Sequence, residues 1–201
     1  MIASTLKPTL IDGLWATDKP ILRNILLAVA GTVALWISAK INLPFYPVPM
    51  TMQTFVVLVI GMAFGWRLGG ATLLLYLAEG AFGLPVFAGT PERGLGLAYM
   101  VGPTGGYLAG FVVAAAVVGW LAERGWDRRV LTTLAAMTIG TAVIFAFGLT
   151  WLGAMIGWDK PVLDLGLTPF LPGAAFKIAL ASAVLPLTWR LLHGTRSSDE
   201  K

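Results

Sequence analysis

Apolar residues in this chain come in long blocks, separated by short polar or glycine- and proline-rich breaks. Six blocks stand out, at about residues 21–39, 50–64, 68–83, 104–122, 130–157 and 169–192. A helix rises about 1.5 Å per residue, so about 20 apolar residues cross the hydrocarbon core of a bilayer. The pattern predicts an all-α integral membrane protein, with six transmembrane helices in a single domain over residues 1–201 and short tails at 1–20 and 193–201. The second and third blocks are short and nearly joined by Gly65-Trp66-Arg67. The fifth is long enough to stop before Trp158 or to run on as a tilted helix. A signal peptide is a weaker reading of the first block. Ala28-Val29-Ala30 follows a basic flank, but the apolar run continues past it, so the span is read as retained.

Composition sharpens this picture. The chain is 57% hydrophobic and 12% charged, against about 25% charged in soluble domains. An ordinary domain of this size lacks the interior to hide so much apolar side chain. The low charge excludes a disordered or nucleic-acid-binding chain, despite a net charge of +4. Lys7, Lys19, Arg23, Arg67, Arg124, Arg128, Arg129, Arg190, Arg196 and Lys201 fall on one side of the spans. Lys40, Arg93 and Lys160 fall on the other, with Lys177 inside the last span. That bias places both termini in the cytoplasm and turns the loops around 40–49, 84–103 and 158–168 outward. Gly61/Gly65, Gly106/Gly110, Gly153/Gly157 and Ala30/Ala34 are small-xxx-small pairs that let helices approach closely in lipid.

Chemistry is sparse. With no cysteine and one histidine, His193 in a basic tail, there is no thiol nucleophile and no metal cluster. A phosphate-binding GxxxxGK[ST] loop and a GxSxG elbow are both missing, so the chain is expected to be neither an enzyme nor an ATPase, and to hold no resident cofactor. What remains is a set of polar groups near the outward face. Lys177 follows Pro172-Gly173 by about one turn, with Ala174 and Ala181 on its face. A lysine within a span marks a cavity site by default, the bland alternative being a side chain snorkelling to the headgroups. Glu79 can accept from a ligand N–H or form a structural ion pair with Lys177 or Arg93. Gln53 offers a donor and an acceptor in the first turn of the second span. Arg93 is a candidate ligand clamp, or a solvated partner of Glu92. The loop 42–49 sets three prolines around Phe45 and Tyr46, and Gly83–Gly89 is equally apolar outside any span. Such loops suit a lid over a buried small molecule.

Four ordered motifs, PVPMTMQTF (47–55), GLPVFAG (83–89), GPTGGYLAGF (102–111) and LPGAAFK (171–177), together resemble the BioY family. These are the biotin-binding substrate components (S components) of energy-coupling-factor (ECF) transporters. The resemblance covers about residues 25–192. It implies an S-component bundle in the cytoplasmic membrane that takes up biotin with high affinity from the outer face. It also implies a transmembrane coupling protein and ABC-type ATPases as partners, although some members are thought to act alone. On this reading Ala30 and Ala34 match the family's docking stripe for the coupling protein. Lys177 and Tyr107 belong to ligand-binding motifs, and Thr104 is expected to cap the helix after Pro103. One departure stands out: Ala174 occupies the place where the family commonly carries an aspartate touching the biotin head. Glu79 or Gln53 is expected to supply the missing acceptor. An S component for another vitamin and a membrane assembly protein are the remaining alternatives.

Overall fold

A proline at the first turn starts the first long helix, because its missing N–H is an orphan there anyway. The computed structural model describes residues 7–15, 17–43 and 46–198. After a short α1 (Leu10–Leu14), α2 runs over Pro20–Lys40 and ends in a two-strand hairpin, β1 (Asn42–Leu43) and β2 (Met50–Thr51). Then come α3 (Gln53–Ala81), α4 (Gly96–Met100), α5 (Gly105–Ala122), α6 (Val130–Ile156) and α7 (Val162–Gly166). A 3-10 turn (Thr168–Phe170) leads into α8 (Leu171–Ser198). Among the described residues, five helical stretches are long and apolar enough to cross a membrane: Pro20–Lys40, Gln53–Ala81, Gly105–Ala122, Val130–Ile156 and Val162–Leu192.

The second of these is two arms. Gly65 has φ 79° and ψ 175°, outside the helical region and open mainly to glycine. The chain folds back there, so that a Cβ on Gly69 would lie 3.1 Å from the Cα of Gly61. The turn is held by Glu123, whose carboxylate accepts from the Trp66 N–H at 3.2 Å. Arms 53–64 and 66–81 are about 18 and 24 Å long at 1.5 Å per residue, short of the roughly 30 Å hydrocarbon core. The reversal brings the number of membrane helices among the described residues to six.

Along the bundle, α2 packs on α3, α3 on α5, α5 on α6 and α6 on α8. The small residues explain how close these contacts are. A Cβ on Gly61 would stand 2.5 Å from the Ala115 carbonyl of α5, and one on Gly106 would stand 2.2 Å from Trp151 of α6. The Gly153/Gly157 pair does not join helices; Gly153 instead lies under the ring of Trp158 from the following turn. Ala30 and Ala34 are exposed on α2.

One end of the bundle gathers the Gly65 reversal, α1 and the 123–129 loop. The Lys7 amide donates to the Glu123 carbonyl at 2.8 Å, Arg128 to the Pro8 carbonyl at 3.3 Å, and Arg23 pairs with Asp12 at 3.0 Å. Asp127 is buried there. Its Oδ2 accepts the indole N–H of Trp189 from α8, while Oδ1 has no hydrogen-bond partner among the described residues. Burial pushes this carboxyl above the usual carboxylate range, against the pull of the Trp189 bond and of Arg128.

Two outcomes follow from this packing. Gly61→Ala should lower the unfolding free energy in detergent by about 1–3 kcal/mol, because a backbone oxygen cannot step aside. Gly70→Ala, whose Cβ would meet its nearest neighbour at 4.0 Å, should be neutral or slightly stabilising. The second outcome concerns pH. A carboxyl with a raised folded pKa contributes stability that is complete below its unfolded value and is lost as pH rises through the folded value. The thermal midpoint of the wild type should therefore gain on that of Asp127→Asn as pH falls through the raised folded pKa toward the unfolded value of about 4; a pH-independent difference would contradict the assignment.

Candidate ligand-binding site

At the other end the backbone leaves helical structure three times, and a cavity opens among the departures. It has about 870 Å³ of empty space, open solvent included. Its walls are apolar: Phe55 and Leu58 of α3, Leu108 and Phe111 of α5, Met137, Ile144 and Phe145 of α6, and Phe170. Val48, Pro49 and Met50 of the hairpin segment and Ala88 of the 82–95 loop close it above. Among the described residues, Lys177 is the one charged side chain in the lining, and no carboxylate reaches it.

The polar groups have defined partners. Lys177 Nζ donates to the Thr51 carbonyl and to Thr54 Oγ1 at 2.9 Å, spending two of its three N–H bonds at the start of α3. Gln53 is buried. Its Nε2 donates to the Tyr76 hydroxyl at 2.6 Å, which donates to the Val86 carbonyl at 2.8 Å. Its Oε1 accepts no bond from another described residue, leaving one acceptor for a ligand. Thr51, Thr54, Thr104 and Thr141 add hydroxyls to the lining.

The upper loop is fixed from both sides. Phe87 is fully buried. It stacks on Tyr99 with ring centroids 5.1 Å apart and meets Tyr76 edge-on at 5.4 Å. It lies so close to α3 that a Cβ on Gly80 would come within 2.0 Å of its ring. The Tyr99 hydroxyl donates to the Ala88 carbonyl. Burial raises the Tyr99 phenol above its ordinary pKa, and a bond from Thr104 offsets part of that rise.

Lys177, Gln53 and Tyr107 thus come together on one cavity, together with Ala174. The other expected residues do not. Glu79 is half-buried on α3 but outside the lining, so of the two acceptors proposed to replace the absent acid only Gln53 is in place. Arg93 also lies outside it and donates to the Pro47 carbonyl at 3.3 Å, joining the two upper loops. Phe45 lies outside the described residues. Tyr107 presents its ring to the cavity, but its hydroxyl donates to the Gly166 carbonyl of α7 at 2.8 Å. Thr104 holds the N-cap position without a capping side-chain bond; its hydroxyl is turned to Tyr99 instead. Sequence reasoning missed Tyr99, Thr51 and Thr54 as wall residues, and Lys40, whose ammonium reaches the upper loop. Their partners lie up to 126 residues away along the chain, and no local rule pairs them.

Comparison with known proteins gives a consistent picture. The family model described as the BioY family matches residues 8–194. A biotin transporter BioY of Rhizobium etli is 38% identical over 163 residues, covering 78% of this chain and 86% of its own. A probable biotin transporter BioY of Pyrococcus horikoshii is 39% identical over 154 residues, covering 76% and 88%. A biotin transporter BioY of Rhodobacter capsulatus is 40% identical over 172 residues, covering 79% and 87%. Among solved structures, the S-component for biotin from an ECF-type ABC transporter superposes with a TM-score of 0.70 at 21% identity, covering 88% of this chain and 95% of that one. That likeness shows the shared fold of a multi-pass helical membrane protein.

The Gln53–Tyr76–Val86 relay generates a prediction of its own. Tyr76→Phe leaves a buried amide N–H and a buried carbonyl without partners, and should cost about 1–3 kcal/mol of stability. Thermal unfolding in detergent measures it.

Proposed function

The chain belongs to the BioY family, and on that premise we propose that it is the substrate-capture component of an ECF-type biotin transporter. The observation that carries this reading is the cavity's chemistry: apolar walls, one cation, no carboxylate, and a donor and an acceptor side by side. Lys177 Nζ bonds to Thr54, the neighbour of Gln53 in the chain, so both groups address the same end of a ligand. A ureido head offers a carbonyl flanked by N–H groups. It satisfies the unspent N–H of Lys177 and the Oε1 of Gln53 together. A carboxylate at that end would offer acceptors alone and leave Gln53 without a donor. The valerate chain of biotin then points toward the opening, and the apolar walls take the ring system. With Ala174 in the lining, the ureido N–H groups depend on neutral acceptors.

The rest of the reading concerns setting. Six crossings return the chain to the side on which it began. The ten basic residues on that side favour the cytoplasm, which puts the cavity toward the outer face of the cytoplasmic membrane. The exposed Ala30 and Ala34 on α2 supply a smooth surface for a transmembrane coupling protein. Without a phosphate-binding loop of its own, the chain relies on ABC-type ATPases for uphill transport, and it performs no catalysis. Neither a metal nor a resident cofactor has a part in this scheme.

Calorimetry of the detergent-solubilised protein with biotin, thiamine and riboflavin tests the proposal. Saturable heat with biotin alone is the expected result; binding of another vitamin, or of none, overturns it. Lys177→Met and Gln53→Ala should each weaken biotin by about 10–100-fold, the loss of one to two good hydrogen bonds. Biotin amide, which lacks the carboxylate, should suffer the same loss from Lys177→Met. An effect of Lys177→Met confined to biotin itself would assign Lys177 to the valerate tail instead.

A further inference from the structure

The 82–95 loop is irregular, and its buried carbonyls find no partners in a helix or strand. Three consecutive ones are nevertheless held: Val86 by Tyr76, Phe87 by Lys40 at 2.9 Å together with the Thr90 hydroxyl at 2.7 Å, and Ala88 by Tyr99. The two tyrosines come from α3 and α4, which flank the loop itself. Lys40 comes from the last position of α2, 47 residues before Phe87. Its ammonium makes two more bonds, to the Thr90 carbonyl at 3.0 Å and to Thr90 Oγ1 at 3.2 Å. All three N–H groups of the lysine are therefore spent on one loop. The same end of α2 continues into the hairpin whose Met50 and Thr51 line the cavity.

We propose that Lys40 is a positioning residue that fastens the upper loop of the cavity to the end of α2 and thereby slows ligand escape. The roof has two parts, the hairpin segment 42–51 and the loop around Ala88. The chain itself ties the first to α2, and Lys40 ties the second. Charge-assisted bonds to carbonyls of irregular backbone are strong for their size, and a flexible lysine stem gives them up singly rather than together. Removing the ammonium leaves the loop around Ala88 held by Tyr76 and Tyr99 and by the Arg93–Pro47 bond farther along it, so the gap beside Ala88 widens without loss of the helix bundle. The inference rests on the cavity being the ligand site, not on the ligand being biotin.

The natural absence of cysteine supplies the test. In Ala88→Cys, the rate of modification by a hydrophilic maleimide in nanodiscs reports how open the roof is, with no ligand present. Adding Lys40→Met should raise that rate about tenfold, the scale of losing a charged hydrogen bond. Lys40→Arg, which keeps N–H donors, should restore most of the protection. Thr90→Val should give a smaller rise. Ala136→Cys, fully buried in α6, should stay unreactive in every background. An unchanged rate in Lys40→Met, or a parallel rise at both thiols, overturns the proposal. In the protein that binds ligand, Lys40→Met should speed dissociation several-fold more than it changes association; equal changes in both count against it.

Discussion

A peptide carbonyl that leaves its helix at membrane depth has no water to bond, and a protein donor must reach it. The cavity end of this protein is organised around that constraint. Its irregular segments expose carbonyls at Pro47, Thr51, Val86, Phe87, Ala88, Thr90, Gly102 and Gly166. Side chains answer them from Arg93, Lys177, Tyr76, Lys40, Tyr99, Trp151 and Tyr107. The scarce polar residues of an apolar chain are thus backbone partners first. Those that face the cavity have only their leftover hydrogen-bonding capacity to offer a ligand.

The helix bundle makes this arrangement possible by being rigid where the roof is not. Doubling α3 back at Gly65 places two short arms between α2 and α5, and glycines on the facing surfaces let the backbones come into contact. Close approach gains dispersion energy that lipid cannot supply between helices. It also fixes the start of α3, from which Gln53 and Thr54 face the cavity. At the far end, the Trp189–Asp127 bond ties α8 to the loop between α5 and α6. Lys177 stands on that same helix, so both walls of the cavity are anchored at their opposite ends.

How much of this was legible in the sequence depends on how far apart the partners lie. Apolar blocks mark the long helices because each block reports its own environment. The junction Gly65-Trp66-Arg67 already suggested a break between two short spans. Lys177, Gln53 and Tyr107 were recognisable because they sit in spans or in motifs carried by the family. Arg93 and Glu79 looked equally suitable by charge and position along the chain, yet neither lines the cavity. Arg93 is drawn to the Pro47 carbonyl across 46 residues, and Glu79 lies outside the wall although Tyr76, one turn earlier on the same helix, bonds to Gln53. Thr104 was read from a local rule for helix starts, and a tertiary neighbour, Tyr99, took its hydroxyl instead. Local rules fail where loop geometry decides the contact.

Ala174 shows how that accounting bears on recognition. A carboxylate at this position would stand in the wall beside Lys177 and neutralise part of its charge. With alanine there, the ammonium is balanced by a carbonyl and a hydroxyl alone. Neither partner carries a formal charge, so the local field stays positive and favours an electron-rich ligand oxygen. A ureido carbonyl, polarised by two nitrogens, is such an oxygen and carries no net charge into the apolar cavity. Bringing in an anion would require stripping its hydration. In the proposed binding mode the Gln53 amide replaces the acceptor lost with the acid, and Tyr76 occupies its other end. A neutral head recognised by one cation and one oriented amide is a different solution from an ion pair across the ligand. Under that proposal the orientation of Gln53, and hence the Tyr76–Val86 relay behind it, belongs to the binding site.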